Sequence, residues 1–155
     1  MSTYTLNATH GGTTHSGQTP EELDLATMLG FAHSVMIIAA ADGELSTTEM
    51  NTFLGMMTAF GMPPQGVEAL RGFDPHGKKL EDHLPSAHRS MLRHFLYDAI
   101  KVARSDGYHE AERRSVRQAA ALGGIPEAVV TAIEGLIEIE SSVRSARLAL
   151  LRDGA

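Results

Sequence analysis

The sequence predicts an all-α fold, a compact bundle of about seven helices with an internal duplication, and three observations carry this prediction. Apolar residues recur every three or four positions along most of the chain, which is the helical period. No segment alternates between apolar and polar residues for long enough to form a strand, so we expect no β-sheet. Residues 39–63 and 103–126 nearly repeat one another, and such a repeat indicates a duplicated architecture.

The signals for the first two helices lie at their ends. Thr19-Pro20 supplies a cap and a first-turn proline, and Glu22 follows three residues after the cap, so the first helix is expected to begin there. Asp42-Gly43 is expected to end it, because glycine adopts the left-handed conformation that stops a helix. Ser46 and Glu49 have the spacing of a capping box and predict the start of the second helix.

The middle of the chain contains shorter elements. A short helix is expected from Pro63-Pro64 to about Arg71, because proline favours the first helical turn. Residues 72–86 are rich in glycine and proline and predict a connector, with one helical turn around Leu80–His83. Ser86 is expected to cap the next long helix, which ends at Asp106-Gly107 as the first one ends at its own Asp-Gly pair.

The second half repeats the plan of the first. His109 and Glu112 occupy the cap and third positions of a helix, and Ile125-Pro126 opens the last segment. This last helix is expected to wrap around the body or to kink near Ser141-Ser142, because its second apolar stripe is rotated from its first. The first stripe contains Val129, Val130, Ile133, Leu136 and Ile137, and the second contains Ile139, Val143, Ala146 and Leu150.

These elements predict a simple domain organisation. Residues 1–18 are rich in Thr, Gly, Ser and His without periodicity and are expected to form a flexible arm. Residues 19–155 are expected to form a single helical domain, since a chain of 155 residues can bury one core. Its two halves, at about residues 22–71 and 86–140, are expected to pack around that core with approximate two-fold pseudo-symmetry.

Composition excludes several classes of function. Thirteen basic residues among nineteen acidic ones give a net charge of −6, which argues against a sequence-independent grip on nucleic acid. The absence of cysteine excludes thiol catalysis, disulfides and thiolate metal sites. No secretory signal is visible, and the longest apolar run, Val35 to Ala41, is too short to cross a membrane. We therefore expect a soluble cytoplasmic protein without direct membrane insertion, and leave its homo-oligomeric state open.

The turn at Asp42-Gly43 and the residues after it have the spacing of half a calcium-binding loop. Asp42-Gly43, Leu45 and Glu49 match the back half of an EF-hand, in which a carboxylate and glycine precede an apolar position and a glutamate. The first and third ligand positions would fall on Ile38 and Ala40, which cannot bind a cation. An EF-hand is therefore rejected.

Other site chemistry has little support in the sequence. The eight histidines are irregularly spaced and include no pair four residues apart, so a zinc or iron site is not indicated. No nucleophile-elbow motif, phosphate loop or dinucleotide fingerprint is present. We therefore expect a protein that is not an enzyme, and no organic cofactor.

The duplicated motif resembles a known family. Ala-x-x-Asp-Gly followed by a downstream glutamate occurs twice, at Asp42-Gly43 and Asp106-Gly107, each with a later Gly-x-Pro turn. In an all-α chain of this length the pattern resembles the TerB-like (tellurite-resistance protein B) superfamily, over about residues 22–152. The family includes stand-alone bacterial proteins and the N-terminal regions of some membrane-anchored J-domain co-chaperones. The resemblance implies a helical bundle of about seven helices with internal duplication.

The resemblance also implies candidate metal ligands. By motif match these are Asp42, Glu49, Asp106 and Glu112, and oxygen ligands without thiolates favour Ca²⁺ or Mg²⁺. The second copy has His109 where serine is usual and has one residue fewer before its glutamate. A structural interpretation stays open, in which the aspartates shape the turns and the glutamates cap helices.

The function that this resemblance implies is binding in a stress or defence context. We expect a non-enzymatic binding or scaffold protein of the bacterial stress response, with protein partners, in the cytoplasm or associated with membrane-bound partners. The alternative is a divalent-cation sensor or store that uses the elbow carboxylates, and the third hypothesis is a metal-dependent enzyme.

Overall fold

Seven α-helices follow one another in the computed structural model, which describes residues 3–5, 9–10, 13–14, 22–86 and 91–152. The predicted all-α class is confirmed, and so are the short helix after Pro63 and the single turn at Leu80–His83. The helices are α1 Leu25–Ala39, α2 Thr47–Ala59, α3 Pro64–Arg71, α4 Leu80–His83, α5 Leu92–Ala103, α6 Glu110–Leu122 and α7 Glu127–Arg152, with a 3₁₀ turn at Ala40–Asp42 after α1.

Helix α1 lies at the centre of the bundle and packs against α5, with α2, α3, α4 and α6 around it. Its residues Ile38 and Ala39 are completely buried, and so are Leu96 and Ile100 of α5, the helix that occupies the same place in the second half. Such burial stabilises the fold by about 1.5–3 kcal/mol for each large aliphatic side chain. These two helices therefore form the framework that carries the two elbows.

Helix α1 and the turn after it are as long and as apolar as a membrane-spanning segment. Leu25–Asp42 has the length and the mean hydropathy, 1.5, of a membrane-spanning segment, which the sequence analysis did not anticipate from its shorter apolar run. Half of this stretch is buried inside the bundle. Central helices of helical bundles have the same composition, because they are in contact with other helices on most sides.

Each half of the chain contains a long helix, an elbow, a second helix, a Gly-x-Pro turn and a third helix. We call residues 40–46 the first elbow and residues 104–109 the second elbow. The two Gly-x-Pro turns close in the same way, since Met62 N donates to Met57 O at 3.0 Å and Ile125 N donates to Ala120 O at 2.8 Å. The order of elements thus agrees with the predicted duplication, while superposition of the two halves stays a prediction.

The N-terminal segment corrects the expectation that the chain has no β-sheet. Two short antiparallel pairs occur, Thr3–Thr5 (β1) with Glu22–Asp24 (β4) and Thr9–His10 (β2) with Thr13–Thr14 (β3). β-Branched threonine favours extended backbone, and strands of two or three residues are too short for alternation to reveal them. The flexibility predicted for residues 1–18 stays a prediction, and the rest of that arm lies outside the described residues.

Two predicted helix starts also differ from the structure. Helix α1 begins at Leu25, where Asp24 Oδ1 accepts a hydrogen bond from Thr27 N at 2.7 Å. The predicted cap at Thr19-Pro20 lies outside the described residues, and an aspartate cap is as favourable as a threonine one. Helix α5 begins at Leu92, and residues 87–90, which would connect it to the predicted cap at Ser86, lie outside the described residues.

Helix α7 corrects the prediction that it wraps around the body or kinks. It continues through Ser141-Ser142 as one helix of 26 residues, and Ser142 Oγ donates to the carbonyl of Glu138 at 3.0 Å within it. Every residue from Glu138 to Arg152 is exposed. The second half of α7 therefore projects away from the bundle as a continuation of the same helix.

Candidate carboxylate site between the elbows

The Glu49 side chain is buried at the start of α2, where it completes the predicted capping box. Its Oε2 atom accepts a hydrogen bond from Ser46 N at 2.9 Å, while Ser46 Oγ accepts one from Glu49 N at 3.1 Å. The residue is only 2% exposed, and no N–H or O–H group of the described residues donates to its Oε1 atom. Only a protonated acid could therefore donate a hydrogen bond to this oxygen.

Glu112 occupies the equivalent place at the start of α6. Its Oε2 atom accepts a hydrogen bond from His109 N at 2.5 Å, and its side chain is completely buried. Its Oε1 atom, like that of Glu49, takes no hydrogen bond from a donor in the described residues. The two halves of the chain thus bury one glutamate each, in the same state of incomplete hydrogen bonding.

The two buried carboxyl groups meet, and burial changes their protonation. The pKa of Glu112 is raised to about 8, mainly by burial, with the hydrogen bond to Glu49 and the charges of Glu49 and Asp42 acting in the same direction and the backbone hydrogen bond from His109 opposing them. Burial also raises the pKa of Glu49, and the charge of Asp106 adds to that effect. Two buried carboxyl groups that share a hydrogen bond do not both ionise cheaply, which favours one proton shared by the pair.

The aspartates of the two elbows each act on the glutamate of the other half. Asp42 Oδ2 lies 3.0 Å from His109 Nδ1, which is itself 3.4 Å from Glu112 Oε2. Asp106 acts on Glu49 through its charge. Each elbow aspartate therefore faces the glutamate of the other half, and the four predicted site residues form two crossed couples.

The first elbow is bonded to the connector between α3 and α4. In the first elbow Gly43 has a φ of 105°, and its carbonyl accepts a hydrogen bond from His76 Nε2 at 3.0 Å. His76 Nδ1 lies 2.7 Å from Asp74 Oδ1, and this partner together with the Gly43 carbonyl raises the pKa of His76. The connector after α3 thus holds the first elbow through one imidazole.

The second elbow is joined to α7 by a network around Tyr108. This residue has a φ of 54°, is 3% exposed, and its hydroxyl donates to Glu134 Oε1 at 2.6 Å. Arg117 donates to both oxygens of Glu134 at 3.1 Å, and the Arg113 guanidinium lies 4.4 Å from the Tyr108 ring centroid. Burial raises the pKa of Glu134, but the bonds from Arg117 and Tyr108 outweigh it and lower the pKa overall. This elbow is therefore locked in place by charged partners.

Sequence reasoning found the four acidic residues but missed several of their neighbours. His109 was predicted as a helix cap and noted as a departure from the motif, yet its ring also lies between Asp42 and Glu112. Glu134 was not singled out, although a glutamate four residues after a buried valine on α7 was a signal for an inward-facing acid. The neighbouring acids Glu44 and Glu110 are exposed.

The oxygen atoms of the site meet some of the requirements of a hard cation. Glu49 Oε1 and Glu112 Oε1 are buried oxygens that lack donors, and carboxylate oxygen is the ligand that Ca²⁺ and Mg²⁺ prefer. Within residues 22–86 and 91–152, however, no three His, Asp or Glu side chains converge as a ready-made metal site. A cation held there would take two protein carboxylates and complete its shell with water, as Mg²⁺ does in many proteins.

Comparison with known proteins places this fold. The chain is similar to the crystal structure of a tellurite resistance protein from Nostoc punctiforme, with 30% sequence identity and a TM-score of 0.71. The match covers 83% of this chain and 82% of the other. No protein-family model and no curated protein matches the chain. The agreement in sequence and fold over most of both chains, together with the duplicated Asp-Gly elbows, shows that this chain belongs to the TerB-like family of tellurite resistance proteins.

Proposed function

We propose that this protein is a non-enzymatic binding protein of the bacterial stress response, and that its elbows take up a hard divalent cation, Ca²⁺ or Mg²⁺, in exchange for the proton of the Glu49–Glu112 pair. The general role is supported by the similarity to a tellurite resistance protein. The cation rests on one observation, which is that two buried glutamates from duplicated helix starts each keep an oxygen to which no N–H or hydroxyl group of the described residues donates.

The chemistry of the pair supports exchange rather than permanent neutrality. A bound cation would stabilise both glutamates in their charged form, and it would replace the shared proton as the group that compensates the burial of negative charge. The crossed charges of Asp42 and Asp106 would increase the attraction for a cation. Uptake would therefore release a proton.

The buried polar groups favour binding over catalysis. In the described part of the chain, the buried polar side chains are Ser34, Glu49 and Glu112, and Ser34 donates to the Gly30 carbonyl of its own helix at 2.9 Å. A covalent mechanism needs a nucleophile with an adjacent base, and these three residues do not supply one. We propose that the protein acts on protein partners in the cytoplasm and not on a substrate.

The alternative is that the cation is the signal itself, so that the protein acts as a sensor or store. The observation that favours it is the position of the pair between the two halves, because one ligand there contacts α2 and α6 together. A sensor changes its conformation on binding, whereas a scaffold with a structural ion does not. Hydrogen exchange at both elbows, measured with and without Mg²⁺, separates these two roles.

Titration calorimetry with Ca²⁺ and Mg²⁺ tests the proposal. We expect binding by the wild type, and heats that differ between two buffers of different ionisation enthalpy, because the shared proton is released. Glu49→Gln and Glu112→Gln should each weaken binding at least tenfold, since one carboxylate of two is lost. Glutamine still accepts the backbone hydrogen bond at each cap, so the fold is kept.

Glu44→Gln and Glu110→Gln are matched controls. Both are exposed carboxylates within five residues of a member of the pair along the chain, and removing their charge should change binding little. Binding that survives in the double variant Glu49→Gln/Glu112→Gln would place the cation elsewhere. A wild type that gives no heat with either ion would overturn the cation proposal and leave the pair as a structural clamp.

A further inference from the structure

The outer half of α7 has an apolar stripe without a partner. Leu136 is 48% exposed, Ile139 65%, Val143 52% and Leu150 81%, and Ala146 completes the series with spacings of three and four residues. This is the a and d spacing of a coiled coil. The stripe lies roughly 150° around the helix from Val130 and Ile137, the α7 residues that the bundle buries.

The charges of α7 are separated along its length. Residues 127–140 contain four glutamates and no basic residue, and residues 141–152 contain three arginines and no acidic residue. Glu134 and Glu138 already have arginine partners within the fold, and Tyr97 donates a hydrogen bond to Glu140. The three arginines, Arg144, Arg147 and Arg152, have no ion pair within residues 22–86 and 91–152.

We propose that this stripe binds the same stripe of a second copy of the chain, with the two α7 helices antiparallel. An antiparallel pair places the acidic part of each helix beside the basic part of the other. A parallel pair would place glutamates beside glutamates and arginines beside arginines, which is repulsive. The segregated charge of α7 is therefore complementary to itself in one orientation only.

The charges next to the stripe also select the register. Glu140 and Arg147 lie on the same flank of the stripe, seven residues apart, at equivalent positions of the repeat. When the two-fold axis passes near residues 144–145, Glu140 of one copy faces Arg147 of the other, twice. Moving the axis by half a repeat towards the N-terminus would place Glu140 opposite Glu140. The opposite flank carries Gly135, Ser142 and Ala149, which are small enough for close approach of the helices.

The expected dimer is weak. Two heptads bury less than the roughly 800 Å² per partner of a standard interface. The helix is already formed and joined to a folded domain, so association loses less conformational freedom than it would for an isolated peptide. We expect a dissociation constant on the order of micromolar or weaker.

Sedimentation velocity from micromolar to millimolar concentration tests the proposal. The wild type should move from monomer to dimer, and Val143→Glu should stay monomeric because it places two charges beside the axis. Val143 is half exposed in the monomer, so this variant should keep the helical dichroism of the wild type. Arg71→Glu on α3 is the matched charge control and should dimerise normally, since its side chain lies elsewhere and is 58% exposed.

A charge exchange tests the register. Arg147→Glu alone and Glu140→Lys alone should each weaken the dimer at least tenfold, because like charges then face each other twice. An equimolar mixture of the two variants should recover the wild-type affinity as a heterodimer. Recovery by mixing is the result that a surface for an unrelated partner, or a merely unfolded variant, would not give.

The absence of cysteine allows orientation to be measured directly. Val143→Cys should cross-link efficiently with a short bismaleimide, because the two thiols lie close to the axis. Leu150→Cys should not, because its two thiols are about 16 Å apart along the antiparallel helices. Equal cross-linking of both variants would indicate a parallel pair, and a wild type that is monomeric at millimolar concentration would overturn the proposal altogether.

Discussion

His109 Nδ1 lies 3.0 Å from Asp42 Oδ2 and 3.4 Å from Glu112 Oε2, so one imidazole of the second elbow is shared by acids from both halves. In the first half the same cap position is Ser46, whose hydroxyl accepts from its own helix at Glu49 N. The substitution of histidine for serine therefore converts a local cap into a contact between the halves. It gives the two copies of the motif different chemistry on one framework.

This difference bears on how the buried acids are stabilised. Glu49 has its own elbow's hydroxyl and amide beside it, whereas Glu112 has an amide and an imidazole that also faces Asp42. Burial raises the pKa of both acids, and because the two carboxyl groups interact, the proton belongs to the pair. The two halves therefore stabilise this pair with different groups.

The first prediction concerns the pH dependence of stability. The pKa of Glu112 is raised in the fold to about 8 from 4.5, so between these values the folded state binds more protons than the unfolded state. Its contribution to stability is therefore complete at low pH and is lost as the pH rises through about 8. Glu112→Gln should remove this loss and gain on the order of 1–3 kcal/mol on the wild type between about pH 5 and about pH 8.5.

Urea unfolding at the two pH values measures this difference. The comparison with the variant isolates Glu112, because His33, whose pKa burial lowers, adds a pH dependence of the opposite sign in both proteins. Glu110→Gln, an exposed neighbour in the same first turn, is the control and should follow the wild type. Parallel pH profiles for the wild type and Glu112→Gln would show that the pair does not hold a proton.

Local chemistry explains which features could be predicted from the sequence. The capping box at Ser46 and Glu49 and the proline start of α3 depend on residues within one helical turn, and both are confirmed. The strand at Glu22–Asp24 was missed because its partner, Thr3–Thr5, is distant in sequence and neither segment is long enough to show a period.

The candidate site could also be predicted from the sequence only in part. The repeated motif identified Asp42 and Glu112 as acids of interest, but it could not show that they face each other across the halves. That relationship depends on how α1 and α5 pack, which places the end of one elbow beside the start of the other half's second helix. Non-local contacts of this kind leave no spacing in the sequence.

The second prediction concerns the cap of α2. Ser46→Ala removes the hydroxyl that accepts from Glu49 N and should lower the free energy of unfolding by about 1 kcal/mol. Thr48→Ala, an exposed substitution two residues later in the first turn, is the control and should cost far less. Chemical denaturation of both variants measures the difference, and equal effects would mean that the cap contributes no stability.

The third prediction concerns the backbone of the first elbow. Gly43 has a φ of 105°, and no atom lies within 4 Å of the place where a Cβ would stand, so any cost of a side chain there comes from the backbone alone. Gly43→Ala should cost about 1–2 kcal/mol, and Gly43→Val should cost more because a β-branched side chain resists positive φ.

Gly72 provides the comparison for this elbow. It caps α3 with a φ of −87°, and an added Cβ would meet only the Ala69 carbonyl at an ordinary 3.8 Å. Gly72→Ala should therefore be neutral or slightly stabilising, because it reduces the freedom of the unfolded chain. If urea unfolding gives the same result for alanine at both glycines, the left-handed conformation of the first elbow is not required.

The fourth prediction concerns the lock between the second elbow and α7. Tyr108→Phe removes the hydroxyl that donates to Glu134 at 2.6 Å but keeps the ring beneath Arg113. The lost bond has a charged acceptor, so the variant should be destabilised by about 1.5–3 kcal/mol, less whatever Arg117 recovers by its two bonds to the same carboxylate.

The pKa of Glu134 should rise towards its ordinary value in Tyr108→Phe, because the Tyr108 hydroxyl is one of the groups that lower it. Carbon-detected NMR titration of the carboxyl groups measures that pKa, and Arg71→Gln, which removes a charge from an exposed pair on α3, controls for a general loss of surface charge. A variant with unchanged stability and an unchanged Glu134 pKa would show that the arginines alone hold α7 against the second elbow.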